Sequence, residues 1–428
     1  MASVSLFFIL YSLLFTSSYS ISDKNLILPL KIKSLPTGYD QKPTNKLSFH
    51  HNVSLTVSLS VGSPPQQVTM VLDTGSELTW LRCKKSPTTP LWYDPLRSKS
   101  YTPVPCTSPT CSTRTRDFTV PVSCDSRKLC HAIVSYVDAT SVEGNLAYDT
   151  FRFTNSELPG IVFGCMDTGS SSNQDEDSKT TGLLGMNRGS LSFVSQMGYS
   201  KFSYCISSRD STGVLLFGDV KISWLKPLSY TPLVNMSRPL PYFDRVAYTV
   251  QLEGIKVGTS ILGLPKSVYV PDHTGAGQTM VDSGTQFTFL LGPVYIALKN
   301  EFLKQTRSLL RVYEDPDFVY QGAMDLCYRV DRSRAGLPVL PSVTMMFRGA
   351  EMSITGERLL VQVPGLIKGN DQIHCFTFGN SDLLGIEAYV IGHHHQENMW
   401  MEFDIANSRV GLAEVRCDLA SQKLGIGL

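Results

Sequence analysis

The sequence predicts a mostly β protein built as two homologous lobes, and three observations lead there. Short runs alternate apolar and polar residues, as in Val53-Ser54-Leu55-Thr56-Val57-Ser58-Leu59-Ser60, which is the period of a strand with one buried face. Similar runs, bounded by Gly, Pro, Asn and Ser, recur at Ile161-Val162-Phe163, Val214-Leu215-Leu216-Phe217 and Tyr248-Thr249-Val250-Gln251-Leu252. An internal repeat divides the chain in two: Val71-Leu72-Asp73-Thr74-Gly75-Ser76 matches Met280-Val281-Asp282-Ser283-Gly284-Thr285 in chemical type, position by position. A second element keeps step with it, since Gly185 of Leu183-Leu184-Gly185 lies 112 residues after Asp73 and Gly392 of Val390-Ile391-Gly392 lies 110 after Asp282.

With 428 residues, 42% of them hydrophobic, the chain has material for roughly two to three domain-sized units. Residues 1–20 hold an apolar block, Leu6 to Phe15, too short to span a bilayer and followed by small residues; this reads as a cleaved secretory signal, although no Lys or Arg precedes it. Residues 21–50 are polar and carry Lys31-Ile32-Lys33 and Gln41-Lys42-Pro43, as a short pro-segment or a mobile N-terminus would. The N-terminal lobe is expected over 51–236 and the C-terminal lobe over 237–428, with a junction near Val234 to Tyr242, where Pro, Arg and Asn cluster. Helical signals are few; the clearest is Pro293 to Leu303, which starts with Pro and carries apolar residues at helical spacing.

Charge and cysteine usage narrow the classes. Lys and Arg total 38 against 37 Asp and Glu, and 18% of residues are charged where about 25% is usual, so nothing attracts a nucleic-acid backbone. No later stretch approaches about 18 uninterrupted apolar residues, so no stable membrane anchor is expected. Ten cysteines run from Cys83 to Cys417 without a Cys-x-x-Cys pattern, which points to disulfides made in an oxidising compartment. The sequons at Asn52 and Asn235 are glycosylation candidates on the same route. This places the protein in the secretory pathway, with endoplasmic reticulum, vacuole and extracellular space left open.

The repeated Asp carries the chemistry. A carboxylate on a turn between apolar strands is costly unless it is held, and the hydroxyls of Thr74, Ser76, Ser283 and Thr285 are placed to hold it. Gly75 and Gly284 allow a sharp turn and a close approach of the other lobe. If the lobes pack by approximate two-fold symmetry, Asp73 and Asp282 meet at the axis, share one proton, and polarise a water with the charged member while the neutral one protonates a carbonyl. Neither a metal nor an organic cofactor is needed. A third tripeptide, Asp167-Thr168-Gly169, runs into an acidic polar stretch and reads as a solvated turn. His393-His394-His395 reads as a polar turn after Gly392. In an extended segment only His393 and His395 would share a face, and no third metal ligand is evident. His393 is also expected to sit near the Asp pair and tune its titration.

On these residues the chain resembles the pepsin-like aspartic proteases, in particular their plant nepenthesin-like branch, over about His50 to Cys417. The likeness extends to Trp80, seven residues after Asp73, and to Cys130 to Thr150, which looks like the family's flap with Tyr136 at its tip. It includes Phe163-Gly164-Cys165, Phe202-Ser203-Tyr204-Cys205, and a closing segment from Ile391-Gly392 through Gln396, Asn398, Phe403-Asp404 and Arg409-Val410-Gly411-Leu412-Ala413. The resemblance implies a bilobal acid protease fold with the active site between the lobes. It further implies an aspartic endopeptidase that hydrolyses peptide bonds with a water activated between Asp73 and Asp282. Gly75, Ser76, Gly284 and Thr285 would support the pair, and Tyr136 and Trp80 would close over an extended protein or peptide substrate bound to a monomer. Bridges Cys106–Cys130, Cys111–Cys124, Cys205–Cys417 and Cys327–Cys375 are implied in the same way; two cysteines usual just after Cys83 are missing, which leaves Cys83 for Cys165.

The chain departs from the family at the flap, where Val137-Asp138-Ala139-Thr140 replaces the usual Gly-Asp-Gly-Ser and predicts a stiffer or differently hinged hairpin. The alternative function is a catalytically silent inhibitor or recognition protein on the same fold, against which the intact Asp282-Ser283-Gly284 argues. A glycosidase with paired carboxylates is the weaker third reading, because its open sugar cleft lacks this symmetry.

Overall fold

The computed structural model describes residues 25–35, 53–86, 89–153, 156–171, 174–208, 212–220, 222–333 and 336–426. The expected signal segment and Asn52 lie outside the described residues.

The two copies of the repeat build the same local topology. In the first lobe, strand Gln66–Asp73 runs antiparallel to Val53–Val61 and parallel to Gly182–Gly185, with Leu72 opposite Leu184 and Asp73 opposite Gly185. Strand Trp80–Arg82 takes the other side of Gly182–Gly185 and lies parallel to Ser156–Ser170. The second lobe repeats this with Gln278–Val281 parallel to Ala388–Ile391, Thr288–Leu290 on its other side, and Phe378–Asn380 beyond. In each lobe a threonine hydroxyl accepts the amide of the paired glycine: Thr79 from Gly185 and Thr288 from Gly392, both at 3.2 Å. These central strands are buried on both faces, so they read as nearly continuous apolar runs.

A shared sheet joins the halves. Strands Met399–Asp404 and Arg409–Glu414, late in the chain, pair with each other, and the first of them pairs with Lys201–Ile206. Phe202 stacks on Phe403 across that seam, with ring centroids 4.6 Å apart, and Cys205 is bonded to Cys417. Part of the stretch expected as a pro-segment or mobile N-terminus is built into the same sheet. Leu26–Ser34 is a strand held between Thr212–Phe217 and Val53–Val61. Its alternate leucines, Leu26, Leu28 and Leu30, are buried, which is the physical reason it is not a loose tail.

The expected helix is present as Gly292–Thr306 with Pro293 in its first turn, and Val294, Leu298 and Phe302 bury one face at a spacing of four. Asp167 to Ser170 are exposed as expected, but they form the end of strand Ser156–Ser170 instead of a turn, because the long strand Ser141–Phe153 supplies them with partners. Among the described residues no helix is long and apolar enough to cross a membrane.

The cysteine-rich insert corrects two expected bridges: Cys106 pairs with Cys124 and Cys111 with Cys130. Burial sorts them, since Cys111 and Cys130 both face an apolar cluster with Val104, Leu146 and Val162, while Cys124 is exposed and Cys106 lies half-buried beside it. The remaining bridges are Cys83–Cys165, Cys205–Cys417 and Cys327–Cys375.

Candidate active site

Asp73 ends its strand and Asp282 directly follows the matching strand Gln278–Val281. Their neighbours repeat in kind. Each Asp accepts from the glycine amide two residues on, Gly75 to Asp73 Oδ1 and Gly284 to Asp282 Oδ1, both at 2.8 Å. Each also accepts from the hydroxyl three residues on, Ser76 to Asp73 Oδ2 and Thr285 to Asp282 Oδ2, both at 2.5 Å. Both oxygens of each carboxylate are therefore fixed by local donors.

The loops are crossed by four reciprocal bonds. Thr74 Oγ1 donates to the Val281 carbonyl at 3.1 Å and accepts the Ser283 amide at 2.9 Å; Ser283 Oγ donates to the Leu72 carbonyl at 2.9 Å and accepts the Thr74 amide at 3.1 Å. A Cβ added to Gly75 would stand 2.7 Å from Asp282 Oδ1, and one on Gly284 would press closer still on Asp73. The two glycines are needed because each carboxylate lies against the other lobe's backbone.

The electrostatics follow from this closeness. Burial, then the charge of Asp282, push the Asp73 carboxyl well above the usual range, opposed by the Ser76 and Gly75 hydrogen bonds. Two carboxyl groups this close titrate as one coupled unit, and burial together with the neighbouring charge favours keeping a proton in it.

The flap forms a hairpin of Cys130–Ser135 and Ser141–Phe153, with Ser135 opposite Ser141. Trp80 Nε1 donates to the Tyr136 hydroxyl at 2.7 Å, and Tyr136 in turn lies against Ser76, so Trp80, Tyr136, Ser76 and Asp73 form one chain of polar contacts. At the tip Ala139 adopts φ 66°, the left-handed region that a glycine would occupy freely. Asp138 braces the turn by accepting from the Thr140 amide and hydroxyl.

The three histidines form the turn expected after Gly392, here a helical one, His393–Gln396, and each finds its own partner. His393 Nδ1 is 3.0 Å from the Ser283 carbonyl, directly behind the second motif; His394 Nε2 meets the Arg358 carbonyl, and His395 meets Thr288 and Thr377. Asn235 is exposed and accepts from Arg188 at 2.8 Å.

Three residues around the site were given no role from the sequence. Glu77, four positions after Asp73, is buried; its Oε1 accepts the Leu191 amide at 2.8 Å while Oε2 has no partner among the described residues. Its legible sign was that the repeat places neutral Gln286 at the same position. Tyr204 and Gln396 lie beneath Asp282; both belong to segments that carry the family likeness, but nothing in their local pattern gave them a role.

Two lobes of one topology meeting at paired carboxylates define the pepsin-like aspartic proteases, and the chain belongs to that family, in its plant branch. Family models described as xylanase inhibitor N-terminal and C-terminal match residues 55–219 and 247–414. The chain is 64% identical over 409 residues to Aspartic proteinase PCS1 of Arabidopsis thaliana, covering 94% of this chain and 90% of that protein. It is 29% identical to Aspartic proteinase nepenthesin-1 of Nepenthes gracilis, over 84% of this chain and 77% of that one. A solved structure described as "Crystal structure of edgp" superposes with a TM-score of 0.66 at 22% identity, covering 92% and 96% of the two chains, which speaks for the fold alone.

Proposed function

We propose that in this aspartic endopeptidase Asp73 and Asp282 hold one water molecule between them and use it to hydrolyse a peptide bond. The observation that carries the reading is the pair of carboxylates, each lying against the other lobe's motif glycine and each held by the same local donors; the raised Asp73 carboxyl agrees with it. Asp282 takes a proton from the water as its oxygen attacks the peptide carbonyl carbon, and Asp73 gives its own proton to the carbonyl oxygen. When the tetrahedral diol collapses, one hydroxyl returns a proton to Asp73, and the leaving nitrogen takes the proton from Asp282. No covalent intermediate forms, and the pair ends as it began.

The substrate is a protein or peptide in extended conformation, held as an added strand beneath Tyr136 by main-chain hydrogen bonds. The enzyme works as a monomer in the secretory pathway, where its five disulfides are stable, with Asn52 and Asn235 as glycosylation sites. His393, behind the second motif, tunes the titration of the pair; a pH profile unchanged in His393→Ala would dispose of that role.

The test is cleavage of a denatured protein substrate from acidic to neutral pH by the wild type, Asp73→Asn and Asp282→Asn. Activity should be confined to the wild type. Cleavage surviving both substitutions, or absent from all three proteins, rejects the mechanism. The descriptions of the two family models favour a second reading, a silent xylanase-binding protein. An inert wild type that blocks a xylanase would establish it, whereas the complete hydroxyl and glycine support of both Asp residues favours the enzyme.

A further inference from the structure

The two Asp motifs are not held from below in the same way. In the first lobe the main-chain carbonyl of Asp73 accepts the amide of Met186, the residue after Gly185, at 2.8 Å. The corresponding residue after Gly392 is His393, but its amide goes to the Thr285 carbonyl at 2.8 Å. The Asp282 carbonyl would lose its support there. A side chain replaces the missing amide: Gln396 Nε2 donates to the Asp282 carbonyl at 3.3 Å and to the Ile391 carbonyl at 2.7 Å. The helical turn His393–Gln396 is what brings Gln396 back under the strand end.

Gln396 is itself fixed. Its Oε1 accepts the Tyr204 hydroxyl, and both side chains are fully buried. Tyr204 comes from Lys201–Ile206, the first-half strand that pairs with Met399–Asp404, and its hydroxyl also lies beside that of Thr74. The amide thus spends both N–H groups on carbonyls and its oxygen on a phenol, an arrangement that neither a hydrocarbon nor a carboxylate reproduces.

We infer that Gln396, locked by Tyr204, is a positioning residue that sets the main chain of Asp282 and through it the orientation of that carboxylate toward Asp73. The inference rests on the proposed roles of the two Asp residues. Rotation of the backbone at residue 282 would carry the carboxylate away from the shared water, and misplacement by about 1 Å costs on the order of 100-fold in rate.

The experiment is steady-state kinetics on Gln396→Met and Tyr204→Phe, with circular dichroism as a fold check and Asp282→Asn prepared alongside. Gln396→Met should lose about 10- to 100-fold in kcat with little change in KM, and its pH profile should shift as the coupling between the carboxylates changes. Tyr204→Phe should lose less, and the double variant less than the sum of the two, because the Tyr204 hydroxyl and Gln396 share a contact. A folded Gln396→Met with wild-type kcat and pH profile, or fully additive losses, overturns the inference. Should Gln396→Met not fold, Tyr204→Phe decides the matter: an unchanged kcat and pH profile there overturns it equally. An active Asp282→Asn would instead strike at the catalytic reading itself, so the two failures are distinguishable.

Discussion

Replacing Glu77 by Gln should make the protein more resistant to neutral pH. Glu77 is 8% exposed, one of its oxygens has no partner among the described residues, and Gly189 packs against the carboxyl group. Burial raises it from 4.5 to about 7; the Leu191 amide and Arg114 oppose the rise, and Asp117 and Asp244 add to it. A carboxyl that keeps its proton more tightly in the folded state stabilises fully below its unfolded value of 4.5. That stability drains away as pH rises toward 7 and is gone above it. The size of the rise corresponds to about 3 kcal/mol. Gln keeps the acceptor for the Leu191 amide and cannot ionise. The assay is denaturant unfolding of both proteins from pH 4 to 8 in an Asp282→Asn background, which suppresses self-digestion under the proposed mechanism. Near pH 4 the two should differ by less than about 1 kcal/mol, and by pH 8 the variant should have gained about 3 kcal/mol relative to the parent. Taking differences removes the parallel titration of Asp73. A difference that stays constant across the range would refute the reasoning.

Ser76→Ala removes a hydrogen bond that favours the ionised form of Asp73, so the limb of the kcat/KM profile governed by Asp73 should move to higher pH, with a loss of about tenfold at the optimum; an unmoved limb contradicts this. Ala139→Gly should be at least as stable as the parent, because glycine relieves the left-handed strain of about 1 kcal/mol that offsets its greater freedom when unfolded, whereas Ala139→Val should lose about 1 kcal/mol or more in thermal unfolding. Peptide mapping without reduction should recover Cys106 linked to Cys124 and Cys111 linked to Cys130. Replacing the buried pair, Cys111 and Cys130, by Ser should destabilise by about 3 kcal/mol, more than replacing the outer pair.

Some of this protein is determined by residues adjacent in the chain. The Asp, its glycine two residues on and its hydroxyl three residues on interact locally, so both motifs, the helix after Pro293 and the division into related halves were legible from spacing alone. Trp80 and Tyr136 were reached through the family likeness, and their bond spans 56 residues. Other features turn on which face of an element meets the core, and local pattern does not record that. Strand Leu26–Ser34 looked like a polar tail because its flanks are polar, yet a slot between Thr212–Phe217 and Val53–Val61 takes its alternate leucines. The order of cysteines along the insert admits several pairings, and burial of Cys111 with Cys130 against Val104 and Leu146 chooses one. The support of Asp282 by Gln396 and Tyr204 joins positions 114 and 192 residues apart, and only the packing of the shared sheet brings them together. Chemistry held by near neighbours is written in the sequence, whereas the supports that aim it come from distant strands whose meeting depends on how the whole chain buries its apolar surface.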